Sequence, residues 1–279
     1  QQKFFLTWGL VIPVFGVRFL GPLLLVSLAG GVSLATAFDT ALNHADEYHE
    51  LLKLAEPRIL AFGGMFLFGS VLSVVMTAQL FFSEIDNKTA LTLLAKPLSR
   101  AEFLLGKFFG AWAVLGVFVL VLAGLQGVVL WAREQELIAA AEQAGKIPAT
   151  FSIVGLCELV LLQWLRLGVV ISIVLAISAL ARTFLFAVVV GSLAVVAGQL
   201  QWIAQDALLR PTDSPVYAFF LWVSTRLIPN LQQFNLADAL VLGSSAVEDG
   251  ALIAVGFSGV AYLAAYLTLG SLIFRRREI

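Results

Sequence analysis

Six stretches of this chain, residues 19–38, 59–82, 108–131, 159–180, 184–204 and 251–274, are apolar over a helix length that matches a bilayer, and five of the six hold no charged residue. A hydrocarbon core about 30 Å thick needs about 20 helical residues rising about 1.5 Å each, because backbone groups there must be bonded within their own segment. The exception is the fourth stretch, which carries Arg166. With 60% hydrophobic and 13% charged residues and a mean hydropathy of +0.97, the chain is excluded from the water-soluble enzymes, since ordinary globular chains are about 25% charged. The expected fold class is an all-α integral membrane protein of six transmembrane helices, forming one permease-sized domain over residues 1–279. A net charge of −1 argues against a general nucleic-acid binder. Cys157 is the single cysteine, so no disulfide forms within the chain. No basic, short apolar, A-x-A pattern marks a signal peptide, and the first long apolar stretch reads as a retained span.

Residues 3–17 are apolar but interrupted by Pro13 and followed by Arg18, which suits an interfacial elbow helix leading into the first span. Basic residues set orientation, because cytoplasmic loops are enriched in Lys and Arg. Six spans put both termini on one side, and that side holds ten of the seventeen basic residues: Lys3, Arg18, Lys88, Lys96, Arg100, Lys107, Arg182 and the run Arg275, Arg276 and Arg277. The expectation is a bacterial inner membrane with both termini cytoplasmic. Of the eighteen acidic residues only Glu84, Asp86, Glu102 and Glu278 fall inside, which leaves the outer face acidic. Three outer segments follow: residues 39–58, an acidic helix stopped near Pro57; residues 132–150, a second polar helix ended around Gly145 and Pro148; and residues 205–250. The last contains VYAFFLWVSTRLI, too short to span, which reads as an interfacial or re-entrant helix.

The most structured connector is residues 83–110, SEIDNKTALTLLAKPLSRAEFLLGKFFG. Glu84, Lys88, Thr92 and Lys96 recur every four residues as a polar stripe, and Leu91, Leu94 and Leu98 form an apolar strip. Pro97 breaks this short helix, and Ser99 with Glu102 has capping-box spacing, so a new helix starts at Arg100 and runs into the third span. A short amphipathic helix joined by a tight turn to a membrane helix can pass on a displacement that a floppy linker would absorb. The alternative is a surface anchor with its leucines in lipid.

Glu84, Thr89, Leu93, Leu94, Lys96, Pro97, Ser99, Arg100, Gly106 and Lys107, in this order, resemble the cytoplasmic signature of ABC-2 type transporter permeases. The stretch Leu227 to Leu240 is similar to an outer segment of bacterial members with separate permease and ATPase chains. The resemblance implies that residues 84–98 are a coupling helix, with Glu84, Lys88, Leu91, Leu94, Lys96, Leu98 and Arg100 docking on a cytoplasmic ABC ATPase subunit. It also implies export and pairing with a second permease copy. ATP and magnesium would then sit on the partner subunit and no cofactor on this chain: Ala101 to Phe108, the nearest approach to a phosphate loop, has Ala for the first Gly and Phe for the hydroxyl residue.

Other candidates are fewer. Counted along the helix from Arg182, Arg166 falls near the outer edge of the core, where snorkelling or pairing with Glu158 competes with a place on a substrate path. Ser70, Ser73 and Thr77 share one face of the second span, as do Gly191 and Gly198 on the fifth and Ser258, Tyr262 and Tyr266 on the sixth. Close helix packing is the default reading of such faces, and a conduit lined by Ser70, Ser73 and Thr77 is the sharper one. His44, Glu47 and His49 lack metal spacing, no metal site is expected, and no nucleophile–base pair marks a catalytic residue. Trp8, Trp112, Trp131, Trp202 and Trp222 read as interface aromatics. Two other readings stay open: a non-transporting membrane anchor or energy-transmitting subunit of an extracytoplasmic assembly, and an ATP-independent channel or carrier.

Overall fold

A computed structural model of the chain describes residues 52–86, 100–144, 153–209, 215–235 and 249–276. These form helices α1 (Leu52–Asp86), α2 (Arg100–Ala144), α3 (Ile153–Leu180), α4 (Phe184–Leu209), α5 (Pro215–Leu227), a 3-10 turn at Leu231–Phe234, and α6 (Asp249–Arg276). The described residues contain no strand. Within five of the helices lie apolar segments long enough to cross a membrane: Met65–Ser83, Ala101–Val128, Ile153–Leu180, Phe184–Leu209 and Gly250–Arg276. The elbow at 3–17, the first expected span at 19–38, residues 39–51 of the first outer segment, and residues 87–99 with Lys88, Leu91, Leu94, Lys96 and Leu98 lie outside the described residues.

Three expected boundaries shift, because the helices run past them. The first outer segment does not stop at Pro57, because α1 begins at Leu52 and runs through it. Pro57 is so near the helix start that its missing N–H costs one hydrogen bond in the opening turns, where the first four N–H groups lack partners in any case. At the other end α1 continues to Asp86, so Glu84 belongs to the last turn of the spanning helix and does not open a separate one. Similarly, α2 starts at Arg100, where the capping-box spacing puts a start, and passes Arg133 without interruption to Ala144. No proline falls between Arg100 and Ala144, and isolated glycines such as Gly124 and Gly127 cost a helix only about 1 kcal/mol each. At about 1.5 Å per residue α2 is about 67 Å long, so it projects well past a bilayer core.

The bundle is organised around α3, which packs against α1, α2, α4 and α6 at once. Between Leu167 and Ala176 every α3 residue is buried, including Ser172, whose hydroxyl donates to the Val169 carbonyl 2.7 Å away in its own helix. Close approach is made possible by glycines on the surrounding helices. A Cβ on Gly69 of α1 would meet Leu167 at 3.0 Å, one on Gly191 of α4 would meet Val174 and Val74 at 3.3 Å, and one on Gly270 of α6 would meet the Ala176 backbone at 3.3 Å. With no hydrophobic drive between helices in lipid, this van der Waals fit is what holds them together.

The α2–α3 contact has its own device. Trp112 and Trp164 stack at 4.3 Å with their planes 17° apart, the Trp112 Nε1–H donates to the Trp164 carbonyl at 3.0 Å, and the Trp164 Nε1–H donates to the Trp112 carbonyl at 2.9 Å. Each indole lies over a glycine one turn further along the other helix, Trp112 over Gly168 and Trp164 over Gly116. Both helices therefore carry the same Trp-x-x-x-Gly pattern, and Trp112, expected at a membrane interface, is a packing residue inside the bundle. Trp131, Trp202 and Trp222 are exposed, as interface aromatics are.

A second aromatic group ties three helix ends. Phe81 of α1 meets Phe274 of α6 edge-on at 5.6 Å, Phe274 stacks on Phe103 of α2 at 5.7 Å, and the Lys107 ammonium sits 5.5 Å above the Phe103 ring.

Gly168→Val should drive Trp112 out of its stack, because a Cβ there would already lie 2.8 Å from its Nε1. The expected cost is about 1–3 kcal/mol. Gly124→Ala, which meets nothing within 4 Å, should leave the unfolding midpoint in detergent unchanged or raised. Equal midpoints for the two variants would contradict the clasp.

Candidate functional site: a buried arginine beside a half-length helix

The side chain of Arg166 is 2% exposed and its neighbour Gln163 1% exposed. Along α3, Arg166 lies eight residues from Glu158 and sixteen from Arg182, so about 12 Å and about 24 Å respectively. It therefore sits in the half of the bundle that carries Glu158. Neither snorkelling nor a pair with Glu158 describes it, because four helices surround α3 and turn the side chain inward. Its Nη2 donates to the Gln199 amide oxygen of α4 at 2.9 Å and its Nη1 makes a long contact, 3.5 Å, with the Gln163 amide oxygen. The guanidinium carbon lies 3.3 Å from the centroid of the Phe66 ring of α1, a cation–π contact strengthened by the absence of water.

Phe66 leads into the small polar stripe of α1. At i+4, i+7 and i+11 from it stand Ser70, Ser73 and Thr77, all buried, on the same helix face. Ser70 Oγ donates to the Leu67 carbonyl at 2.9 Å and Ser73 Oγ to the Gly69 carbonyl at 2.6 Å, so both hydroxyls are spent on their own helix. Thr77 Oγ1 has no partner among the described residues. The structure thus joins Arg166 to one end of this stripe through Phe66. Of the docking candidates, Glu84 lies in the last turn of α1 and Arg100 in the first of α2.

The sequence pattern alone did not reveal what packs on α4 next to Gln199, the partner of Arg166. Helix α5 is 13 residues long, about 19 Å, too short to cross a membrane. It ends at Leu227, turns at Pro229, and its chain returns through the 3-10 turn against α4 and α3. Leu231 and Phe234, both fully buried, occupy the notches left by two glycines. A Cβ on Gly198 would meet Leu231 at 2.8 Å and the Pro229 carbonyl at 3.2 Å, and one on Gly259 would meet Leu165 at 2.8 Å and Phe234 at 3.0 Å. Gly198 precedes Gln199, the partner of Arg166, so the hairpin tip and the arginine flank the same turn of α4.

The last carbonyls of a helix have no partner within it and must find donors elsewhere. Here α6 supplies them: Tyr266 OH donates to the Leu227 carbonyl at 2.6 Å and Tyr262 OH to the Arg226 carbonyl at 3.4 Å. From α4, Gln201 Nε2 donates to the Ser224 carbonyl at 2.9 Å, and Gln205 Oε1 accepts from Asn230 Nδ2 at 2.7 Å. Asn230 Oδ1 caps the 3-10 turn by accepting from the Gln232 N–H at 2.9 Å, and Gln233 Nε2 donates to Ser258 Oγ at 2.9 Å. Polar side chains at Ser258, Tyr262 and Tyr266, spaced by four, are therefore the clamp for this hairpin.

Among the described residues no group of three or more His, Cys, Asp or Glu side chains could hold a metal ion. Five long apolar helices around a buried core of Gly, Ser and aromatic contacts define an α-helical integral membrane protein. The profile of DUF475, described as a protein of unknown function, matches residues 1–198, and the chain belongs to that family. No curated protein matches it. The matched region takes in α1 to α3, Arg166 and α4 as far as Gly198, and stops short of the α5 hairpin.

Tyr266→Phe should leave the Leu227 carbonyl without its donor, at a cost of about 1–3 kcal/mol. Hydrogen exchange of the α5 amides should then speed up while that of α3 stays the same. Unchanged protection across 215–227 would show that the tyrosine does not hold the hairpin.

Proposed function

We propose that this chain is the membrane-spanning subunit of an ATP-driven transporter of the ABC-2 type, moving its substrate outward and driven by a separate cytoplasmic ATPase. In this reading the protein has six spans, with residues 3–17 as an elbow, the segment 87–98 between α1 and α2 as the coupling helix and the α5 hairpin as a re-entrant element of the outer leaflet. The observation that carries it is the signature from Glu84 to Lys107 between two rods whose adjoining ends share one aromatic contact group, Phe81 and Phe103 on either face of Phe274. A displacement applied between those ends reaches α1, α2 and α6 together. Leu91, Leu94 and Leu98 would fill the groove of the ATPase, each worth about 1.5–3 kcal/mol when buried. Two permease copies and two ATPases, with ATP and magnesium on the latter, complete the assembly.

Leu94→Asp should abolish copurification with an ABC ATPase subunit that the unmodified chain retains, while membrane insertion and the unfolding midpoint stay as in the unmodified protein. Undiminished association in that variant would remove the docking role.

The orientation has a direct test in Cys157, the single cysteine, which is exposed one residue before Glu158. With termini in the cytoplasm it faces outward, so a membrane-impermeant maleimide should label it in intact cells. Labelling only after the cells are opened would reverse the topology.

A second reading is favoured by one specific observation. A buried ionisable side chain beside a half-length helix is a combination that ATP-independent carriers build. Uptake or release by vesicles holding this chain alone, without ATP, would favour that reading over the first.

A further inference from the structure

A guanidinium carries five N–H donors and no acceptor, and inside hydrocarbon each donor without a partner and each charge without a counter-charge is costly. Around Arg166 the supply of acceptors among the described residues is short. Its two Nη atoms reach only neutral amide oxygens, one of them at 3.5 Å, and its Nε has no partner among the described residues. Gln163, with its oxygen turned to the arginine, leaves its own Nε2 buried and without a partner among the described residues. One face of the guanidinium is covered by Phe66, so what remains for a ligand is the edge in its plane. On that edge the Nε–H, with the Gln163 Nε2 nearby on the same helix, is what is left to donate to an anion, and a guanidinium donates to anions in charge-assisted bonds. No described Asp or Glu forms an ion pair with it, and the four helices packed on α3 present to it Gln199 and Phe66 rather than an acid.

We infer that Arg166 and Gln163 form a binding site for a small monovalent anion, a carboxylate or a halide, held between α1, α3 and α4. Its positive charge and two spare donors, Arg166 Nε and Gln163 Nε2, are what such an anion completes. Gln199 is the positioning residue, fixing the guanidinium from α4, the helix that also seats Leu231 of the hairpin at Gly198. The inference concerns the isolated chain and holds whether or not an ATPase drives it.

The test is the thermal unfolding of the purified chain in detergent, followed by tryptophan fluorescence, in sodium formate, sodium chloride and sodium gluconate at equal ionic strength. A ligand that binds only the folded state raises its midpoint with concentration. Formate or chloride should raise the midpoint and saturate, whereas gluconate, much larger than either, should not; the more effective of the first two tells a carboxylate site from a halide site. Arg166→Gln should lose the response. Gln163→Glu should place a carboxylate beside the arginine, raising the midpoint without added salt and removing the dependence on formate and chloride. An equal response to all three salts, or a response that persists in Arg166→Gln, would overturn the site. So would a lower midpoint in Gln163→Glu, the result expected where a carboxylate from elsewhere in the chain already fills the position. Should Arg166→Gln not fold, the Gln163→Glu variant decides alone.

Discussion

Hydrocarbon offers a polar atom nothing to bond to, so each one taken into a membrane bundle must find its partner within the protein. Most of this structure follows from the different ways in which the chain meets that demand. Ser70 and Ser73 of α1 and Ser172 of α3 give their protons to carbonyls of their own helices, which asks nothing of a neighbour and leaves them free to pack as small residues. Trp112 and Trp164 satisfy their indole N–H groups reciprocally across two helices, so that bonding and close packing become one contact. The end of α5, which no helix geometry can satisfy, is bonded by tyrosines of α6 and a glutamine of α4. Arg166 is where the supply among the described residues falls short.

These solutions are connected through α4. Its Gln199 holds the arginine, its Gly198 admits Leu231, and its Gln201 and Gln205 bond the hairpin. A shift of the hairpin along α4 would disturb the turn that carries the arginine's amide partner. Helix α3, by contrast, is locked on every side by glycine contacts and the tryptophan clasp, and it offers the least freedom to move.

How much of this the sequence disclosed depended on the range of the interaction. Apolar length needs only local information, and it marked the five described spans, while the capping residues Ser99 and Glu102 marked the start of α2. Boundaries at Pro57 and Arg133 misled, because polarity and a single proline were read as breaks, whereas a helix already formed passes through both. The short helix before the last span was legible from its length and its prolines. Its partners were not, since the pairing of Gly198 with Leu231 or Tyr266 with the Leu227 carbonyl joins residues far apart in the chain. Arg166 was conspicuous as the one charge in a span, yet its fate turned on Gln199 and Phe66, which no spacing rule associates with it. Trp112 and Trp164 share a pattern that could have been noticed, Trp-x-x-x-Gly twice, but each copy by itself is unremarkable.

The reciprocity of that pattern limits how α2 and α3 can travel. Because each indole is at once a donor to the opposite backbone and a lid on the opposite glycine, axial sliding by even one residue would sever both bonds and drive two rings into side chains that have a Cβ. Neither rod can slide along the other at this contact without breaking it, so α2 and α3 move there as one strut.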